Sequence, residues 1–326
     1  MTVVSGHSPV YRWVKHLNST FISSVDRSLQ GADYSIRWDE QYSGSLAGVG
    51  DELETIEAGL AELGIVPSVF DAAKLGVQNV TYFTPFVSSD AKRIANLMDE
   101  LHASEPEIQG SWHANGVEYL GGAIGLDDYL LMTTSPIHTL KDLKGLKIAA
   151  PGPAINWLKG TGAVGVSGNL ATYYNDIRAG VYDGAITFAT AALPGKLYEV
   201  APYITLVHFG AQYAGGIAAN KVWFDALPDV VQRALKNAAV AHREAYLDDL
   251  DIAVNESLSR MIELGAVVTE VDEGFQKLWV DNMDNVATVW AQRLDKAGQP
   301  GTAVLNMYMN KMRDAGASPA RNWDQK

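Results

Sequence analysis

The sequence predicts an α/β protein of two lobes tied together by one long helix. Short apolar runs alternate with helical periodicity along nearly the whole chain, the pattern of parallel strand–helix construction. A length of 326 residues exceeds what one core organises and falls short of three. Between Leu227-Pro228-Asp229 and Leu264-Gly265 a stretch of roughly 37 residues has no internal Pro or Gly, and at about 1.5 Å per residue a single helix there reaches roughly 55 Å.

In chain order, Thr2 to Val4 reads as a strand, followed by Ser8 and Pro9 at N-cap and N1 positions. Val10, Trp13, Val14, Leu17, Phe21, Val25 and Leu29 then repeat at the spacing of one amphipathic helix. Further strands are expected at Tyr34 to Trp38, Gly64 to Val66, Tyr119 to Ile124, Leu130 to Thr133, Leu146 to Ala149, Gly184 to Phe188, Ile204 to His208, Gly216 to Ala219 and Val267 to Val271, with helical patterns between most of them. In the long stretch Val231, Leu235, Ala238, Tyr246, Leu250, Leu258, Met261 and Leu264 keep one apolar stripe, and two ordinary helices with an unmarked break are the alternative. No Pro/Gly/Ser-rich linker separates the halves, so the lobes are expected to exchange strands rather than follow one another.

Composition excludes several classes. The net charge of −13, spread without long acidic runs, argues against a nucleic-acid partner, which needs clustered Lys and Arg. There is no Cys, so disulfides, thiolate nucleophiles, Fe–S clusters and Cys-ligated zinc are ruled out. No apolar run is long enough to span a membrane. The segment Met1 to Gly6 lacks the basic start and apolar core of a signal peptide; a periplasmic protein whose leader has been removed is the expectation, on the resemblance given below.

Catalytic motifs are weak. Gly160-Thr161-Gly162-Ala163-Val164-Gly165 matches the dinucleotide fingerprint, with Asp183 near the ribose-binding position, but that fingerprint must leave a strand and open a helix, whereas Pro153 to Lys159 reads as a helix. Gly165-Val166-Ser167-Gly168 breaks the spacing of a nucleophile elbow. The seven His form no metal-ligand pair, and Asp248, Asp249 and Asp251 read as the solvated face of the long helix. No enzyme activity, metal or cofactor is expected; an NAD-type oxidoreductase built on residues 160–165 is the rival from another class.

The middle of the chain carries a resemblance. Thr139-Leu140-Lys141-Asp142-Leu143-Lys144-Gly145-Leu146-Lys147-Ile148, then Pro151 and Gly162-Ala163, followed by Tyr174-Asn175-Asp176-Ile177-Arg178-Ala179-Gly180-Val181-Tyr182-Asp183-Gly184, resembles TRAP-transporter solute receptors of the dicarboxylate-receptor (DctP) type. Gly50-Asp51-Glu52 leading through Ile56-Glu57-Ala58-Gly59, and Leu227-Pro228 opening the long helix, agree with it in order. The resemblance implies a two-lobed periplasmic-binding-protein fold with crossing hinge strands and a lobe-spanning helix. It implies a solute held in the cleft between lobes that close on it, and delivery to membrane permease subunits; a sensor that signals to a membrane partner would share the fold.

On that reading residues 1–126 with 216–262 form one lobe, and 127–215 with 263–326 the other. The family's carboxylate-gripping Arg falls on Ala149, and a second basic position on Asp128 or Tyr129, so a neutral or cationic solute, such as an amine or amino alcohol, is expected, with Asp128 as counter-charge. A carboxylate held by a different basic residue is the alternative. By correspondence the ligand contacts are His7, Asp128, Tyr129, Ala149, Leu170, Thr187, Phe188 and Tyr213, with Trp112 and His113 as further candidates. Asp183 reads as structural, bonding a turn before Gly184.

Overall fold

A computed structural model describes residues 1–325. The first strand, Thr2–Ser5, is apolar enough to lie inside a sheet, with Val3 and Val4 fully buried. It lies between Asp39–Tyr42 and Leu63–Val66, parallel to both, and the sheet continues through Gly216–Asn220 to Val117–Gly121. Gly216–Asn220 runs antiparallel to its two neighbours. Val4, Leu53, Ile56, Val66, Trp112, Tyr119 and Ala218 form the core of this unit, which comprises Met1–Gln78, Met98–Ile124 and Ala214–Asp251.

Two early elements differ from expectation. The second strand is Asp39–Tyr42, not Tyr34 to Trp38: the Trp38 indole turns back to donate to Asp26 at 2.9 Å, and pairing starts where the Asp39 amide reaches the Met1 carbonyl at 2.9 Å. The first helical run begins at Arg12, not Pro9, because residues 8–11 form a turn closed by the Tyr11 amide on the Ser8 carbonyl at 3.0 Å. That turn buries Tyr11 and stacks it on Trp13 at 4.9 Å. The run continues without a break through a π-helical segment, Leu17–Ile22, to Ser28.

The second unit comprises Asn79–Leu97, Gly125–Tyr213 and the chain from Ile252 onward. Its six-stranded sheet runs Val267–Glu270, Tyr203–Leu206, Tyr129–Thr133, Gly184–Phe188, Lys147–Ala150, Val164–Ser167. Only Tyr129–Thr133 is antiparallel to its neighbours. One sheet face carries Leu130, Met132, Ala149, Ala185 and Ile204, packed with Tyr173, Ile177, Leu197 and Met261. Elsewhere in the unit aromatic rings touch in sequence, from Phe188 to Tyr129 at 5.1 Å, Tyr129 to Trp157 at 5.5 Å, Trp157 to Phe209 at 5.3 Å and Phe209 to Trp279 at 5.1 Å.

The division differs from the expected lobes chiefly at residues 79–97 and 252–262, both of which belong to the second unit, and by two residues each at 125–126 and 214–215. The reason is packing: Phe83 stacks on Trp290 at 5.2 Å, Tyr82 on Trp157 at 5.9 Å, and Met261 is fully buried in the second unit's core. The chain passes between units after residues 78, 97, 124, 213 and 251. Gly125–Leu126 and Gln212–Tyr213, next to two of these passages, pair antiparallel.

The Pro- and Gly-free stretch is one helix, Asp229–Glu263, of 35 residues, and it spans both units. At 1.5 Å per residue its length is about 52 Å. Pro228 precedes its first turn, and its carbonyl accepts from the Val231 amide at 2.8 Å. Gly265 stops it with φ of +101°, a left-handed conformation that lets the Ala266 amide reach the Met261 carbonyl at 2.9 Å. The stretch expected as a helix, Pro153 to Lys159, is a 3-10 segment over Gly152–Leu158, and the short strand Val164–Ser167 was not anticipated.

The C-terminal segment completes the second unit. Trp323 is fully buried and its indole donates to the Pro85 carbonyl at 2.6 Å, while Arg313 grips both carboxylate oxygens of Asp324 at 3.0 and 2.6 Å. Trp323→Ala is expected to lose about 3–5 kcal/mol of unfolding free energy in urea titration, the cost of a large-to-small change in a packed interior.

Candidate functional site

In the second unit the carboxyl ends of Lys147–Ala150 and Gly184–Phe188 and the amino end of Tyr129–Thr133 fall at one edge of the sheet. Tyr129 pairs directly with Phe188 and Leu130 with Thr187. Side chains alternate along a strand, so Thr187 shares the face of Ala185 and Ala149, and Tyr129 and Phe188 lie on the other. Six of the predicted contacts thus reach this unit's sheet edge or its packing in two groups, not one: Tyr129 with Phe188, and Ala149, Leu170 and Thr187 on the opposite side, with Tyr213 in the short ribbon beside them.

The aromatic group is hydroxyl-lined. The Tyr129 and Tyr82 hydroxyls are hydrogen-bonded at 2.9 Å, Tyr82 stacks on Trp157, and the Trp157 indole donates to the Tyr82 carbonyl at 2.7 Å. Burial pushes both phenols up, so they act only as neutral groups. On the other face Ala149 and Tyr173 are buried in one cluster, against which Leu170 packs. The Tyr173 hydroxyl and the Thr187 Oγ1 are both buried and have no hydrogen-bond partner. Tyr213 is fully buried, and its amide donates to the Thr81 hydroxyl at 3.2 Å.

Asp128 is committed within the protein. Its carboxylate accepts from the Ser89 hydroxyl at 2.9 Å, the Gly210 amide at 2.8 Å and the His208 Nδ1, while His208 Nε2 reaches Glu270. The counter-charge for Asp128 is therefore His208, contrary to the expectation that a solute cation supplies it. The neighbouring Asp127 is buried and accepts from the Thr190 amide and hydroxyl; burial pushes it up to about 6.

In the first unit His7 follows the strand Thr2–Ser5 and packs edge-on to Tyr11 and Trp13 at 5.7 and 5.6 Å. Burial lowers it to about 4, so the imidazole is neutral at physiological pH, and its Nδ1 has no hydrogen-bond partner. The Ser5 hydroxyl is likewise buried and unpartnered. Glu52 beneath them accepts from the Gly6 and Gly50 amides at 2.8 and 2.7 Å, and burial pushes it up to about 7. Trp112 and His113 do not join this group: the Trp112 indole donates to His102 at 2.9 Å and His113 meets Glu118 at 2.6 Å.

Among the described residues no Lys or Arg is buried. Arg243 and Arg12, both partly shielded, are paired at 2.6 Å with Asp99 and Asp249. Residues 160–165 lead from a 3-10 turn into the strand Val164–Ser167, the reverse of the strand-to-helix order that dinucleotide binding needs. Asp183 accepts from the Lys147 amide at 2.8 Å and so holds the turn before Gly184. Sequence reasoning missed Ser5, Tyr82, Trp157 and Tyr173, whose apolar or helical context reads as ordinary core.

The model of the bacterial extracellular solute-binding protein family 7, DctP, matches residues 7–293. The chain belongs to this family. DctP proteins are extracytoplasmic solute-binding receptors that work with membrane permease components. A TRAP periplasmic solute-binding protein of Sulfitobacter, solved with β-D-galacturonate, superposes with a TM-score of 0.79 at 19% identity, covering 94% of this chain and 99% of the other. An extracytoplasmic solute receptor of Bordetella pertussis that binds pyroglutamic acid gives 0.81 at 18%, covering 95% and 99%. A protein of Chromohalobacter salexigens with bound D-glucuronate gives 0.79 at 19%, covering 94% and 99%. A curated solute-binding protein of Albidiferax ferrireducens is 28% identical over 183 residues, 53% of this chain, and the match spans about half (48%) of that relative's length. Among the described residues no helix is long and apolar enough to cross a membrane.

His208 gives this unit of the DctP fold a pH signature. Its hydrogen bond to Asp128, with Glu270 on the other side, raises it from 6.5 to about 9. A group whose folded value is raised adds stability fully below its unfolded value and loses it as pH climbs through the folded one. The unfolding free energy of the parent minus that of His208→Gln is expected to be positive and constant below pH 6 and to fall between about pH 7 and 9.5, as read by urea titration across that range.

Proposed function

We propose that this chain is the solute receptor of a TRAP transporter that captures a small neutral or cationic solute and hands it to permease subunits without any chemistry of its own. The observation that carries the reading is the absence of a buried cation among the described residues; the sequence resemblance, which aligns the family's carboxylate-gripping Arg with Ala149, supports it. Ser5, His7, Tyr173 and Thr187, each with a buried polar atom left unpartnered, are uncharged at neutral pH. Burying a carboxylate without a cationic partner costs several kcal/mol, comparable with the roughly 8 kcal/mol of a micromolar complex.

His7 in the first unit, and Tyr129, Thr187, Phe188 and Tyr213 in the second, are the contacts we carry forward; Leu170 and Ala149 shape the wall. With Asp128 already paired, the neutral branch is the stronger one. A second reading, a carboxylate held by a basic residue elsewhere, is favoured by the galacturonate, glucuronate and pyroglutamate bound by the structural relatives. The location proposed is the periplasm.

In a melting screen, amines, amino alcohols and uncharged polar solutes are expected to raise the midpoint, and simple mono- and dicarboxylates to leave it unchanged. At a hundredfold over the dissociation constant the gain is about 2.7 kcal/mol, or a few degrees for a chain of this size. A clear shift with a dicarboxylate alone refutes the selectivity.

A further inference from the structure

We infer that Tyr173 is a specificity-determining residue, its phenol working with the Thr187 hydroxyl to hydrogen-bond an uncharged polar group of the solute in the place a guanidinium at position 149 would serve. The inference rests on the receptor reading above and deepens it to a solute class: a neutral molecule carrying amide, lactam or hydroxyl groups.

Three observations converge. First, the two oxygens are buried, in residues each about 1% exposed, and neither has a hydrogen-bond partner. A buried hydroxyl left unpaired costs the protein free energy that a neighbouring donor or acceptor would recover, so two close to one sheet edge point to a partner that arrives from outside. Second, the site is built around the small residue. A Cβ placed on Gly168 would stand 2.7 Å from the Tyr173 Cε1 and 3.3 Å from the Ala149 Cβ, so the ring, the alanine methyl and the bare glycine share one packed spot. An arginine stem leaving position 149 would have to cross the volume that the ring fills. Third, the groups at hand are neutral and of mixed donor and acceptor character. Burial pushes the Tyr173 phenol up, as it does those of Tyr82 and Tyr129, so all three remain protonated. Such hydroxyls match a carbonyl, amide or alcohol and do nothing to neutralise a carboxylate.

The test uses the full chain, Tyr173→Phe and Thr187→Val, with two pairs of probes that differ only in charge: D-glucuronate against D-glucuronamide, and pyroglutamate against pyroglutamide. Because each substitution deletes an unpaired polar atom, the ligand-free melting midpoint of both variants is expected to equal or exceed the parent's. Tyr82→Phe, which breaks a made hydrogen bond, should lower it. By calorimetry each variant is expected to bind the amides about fivefold to tenfold more weakly than the parent. A ligand-free midpoint several degrees below the parent in Tyr173→Phe means that the fold itself holds the hydroxyl, and overturns the inference; so does amide binding equal to the parent's. If neither amide registers, the ligand-free midpoints decide alone. Tighter binding of the acids than of the amides by the parent overturns the receptor selectivity proposed above, a separate failure from that of the two hydroxyls.

Discussion

A polar group taken out of water must find a partner or carry a cost of about 1–3 kcal/mol, and most of what distinguishes this molecule follows from how that constraint is met. Through most of the interior it is met locally. Tyr82 pairs with Tyr129, the indoles of Trp157, Trp279 and Trp323 reach backbone carbonyls, and Asp127 is answered by Thr190. At the ends of the strands it is not met, and Ser5, His7, Tyr173 and Thr187 stand open.

Charge is handled differently in the two roles. Cations sit in half-shielded structural pairs, Arg12 with Asp249, Arg243 with Asp99, Arg313 with Asp324, and His208 between two carboxylates. The unpartnered polar groups, the His7 imidazole and the Ser5, Tyr173 and Thr187 hydroxyls, are uncharged.

Much of the fold was legible in the sequence because the signals were backbone signals. The long helix announces itself by the lack of Pro and Gly between Pro228 and Gly265, and the central strands by runs such as Leu130-Leu131-Met132. The strand Val164–Ser167 was hidden because it is a short edge strand with half its residues exposed and a glycine inside it. The candidate site was harder to read. A single-residue step along a strand separates Thr187 from Phe188 and sends them to opposite faces, and the commitment of Asp128 depends on His208, eighty positions away. Tyr173 looks like core in a one-dimensional reading; only the missing partner of its hydroxyl, a three-dimensional fact, sets it apart.

The Trp323 indole bound to Pro85 closes a loop of 238 residues. Contacts so distant along the chain form late, since the entropy of bringing them together is spent before any packing is gained. During synthesis the second unit must therefore wait with Phe83 and Pro85 uncovered until Trp290 and Trp323 emerge, an interval in which a holding chaperone has an apolar surface to grip.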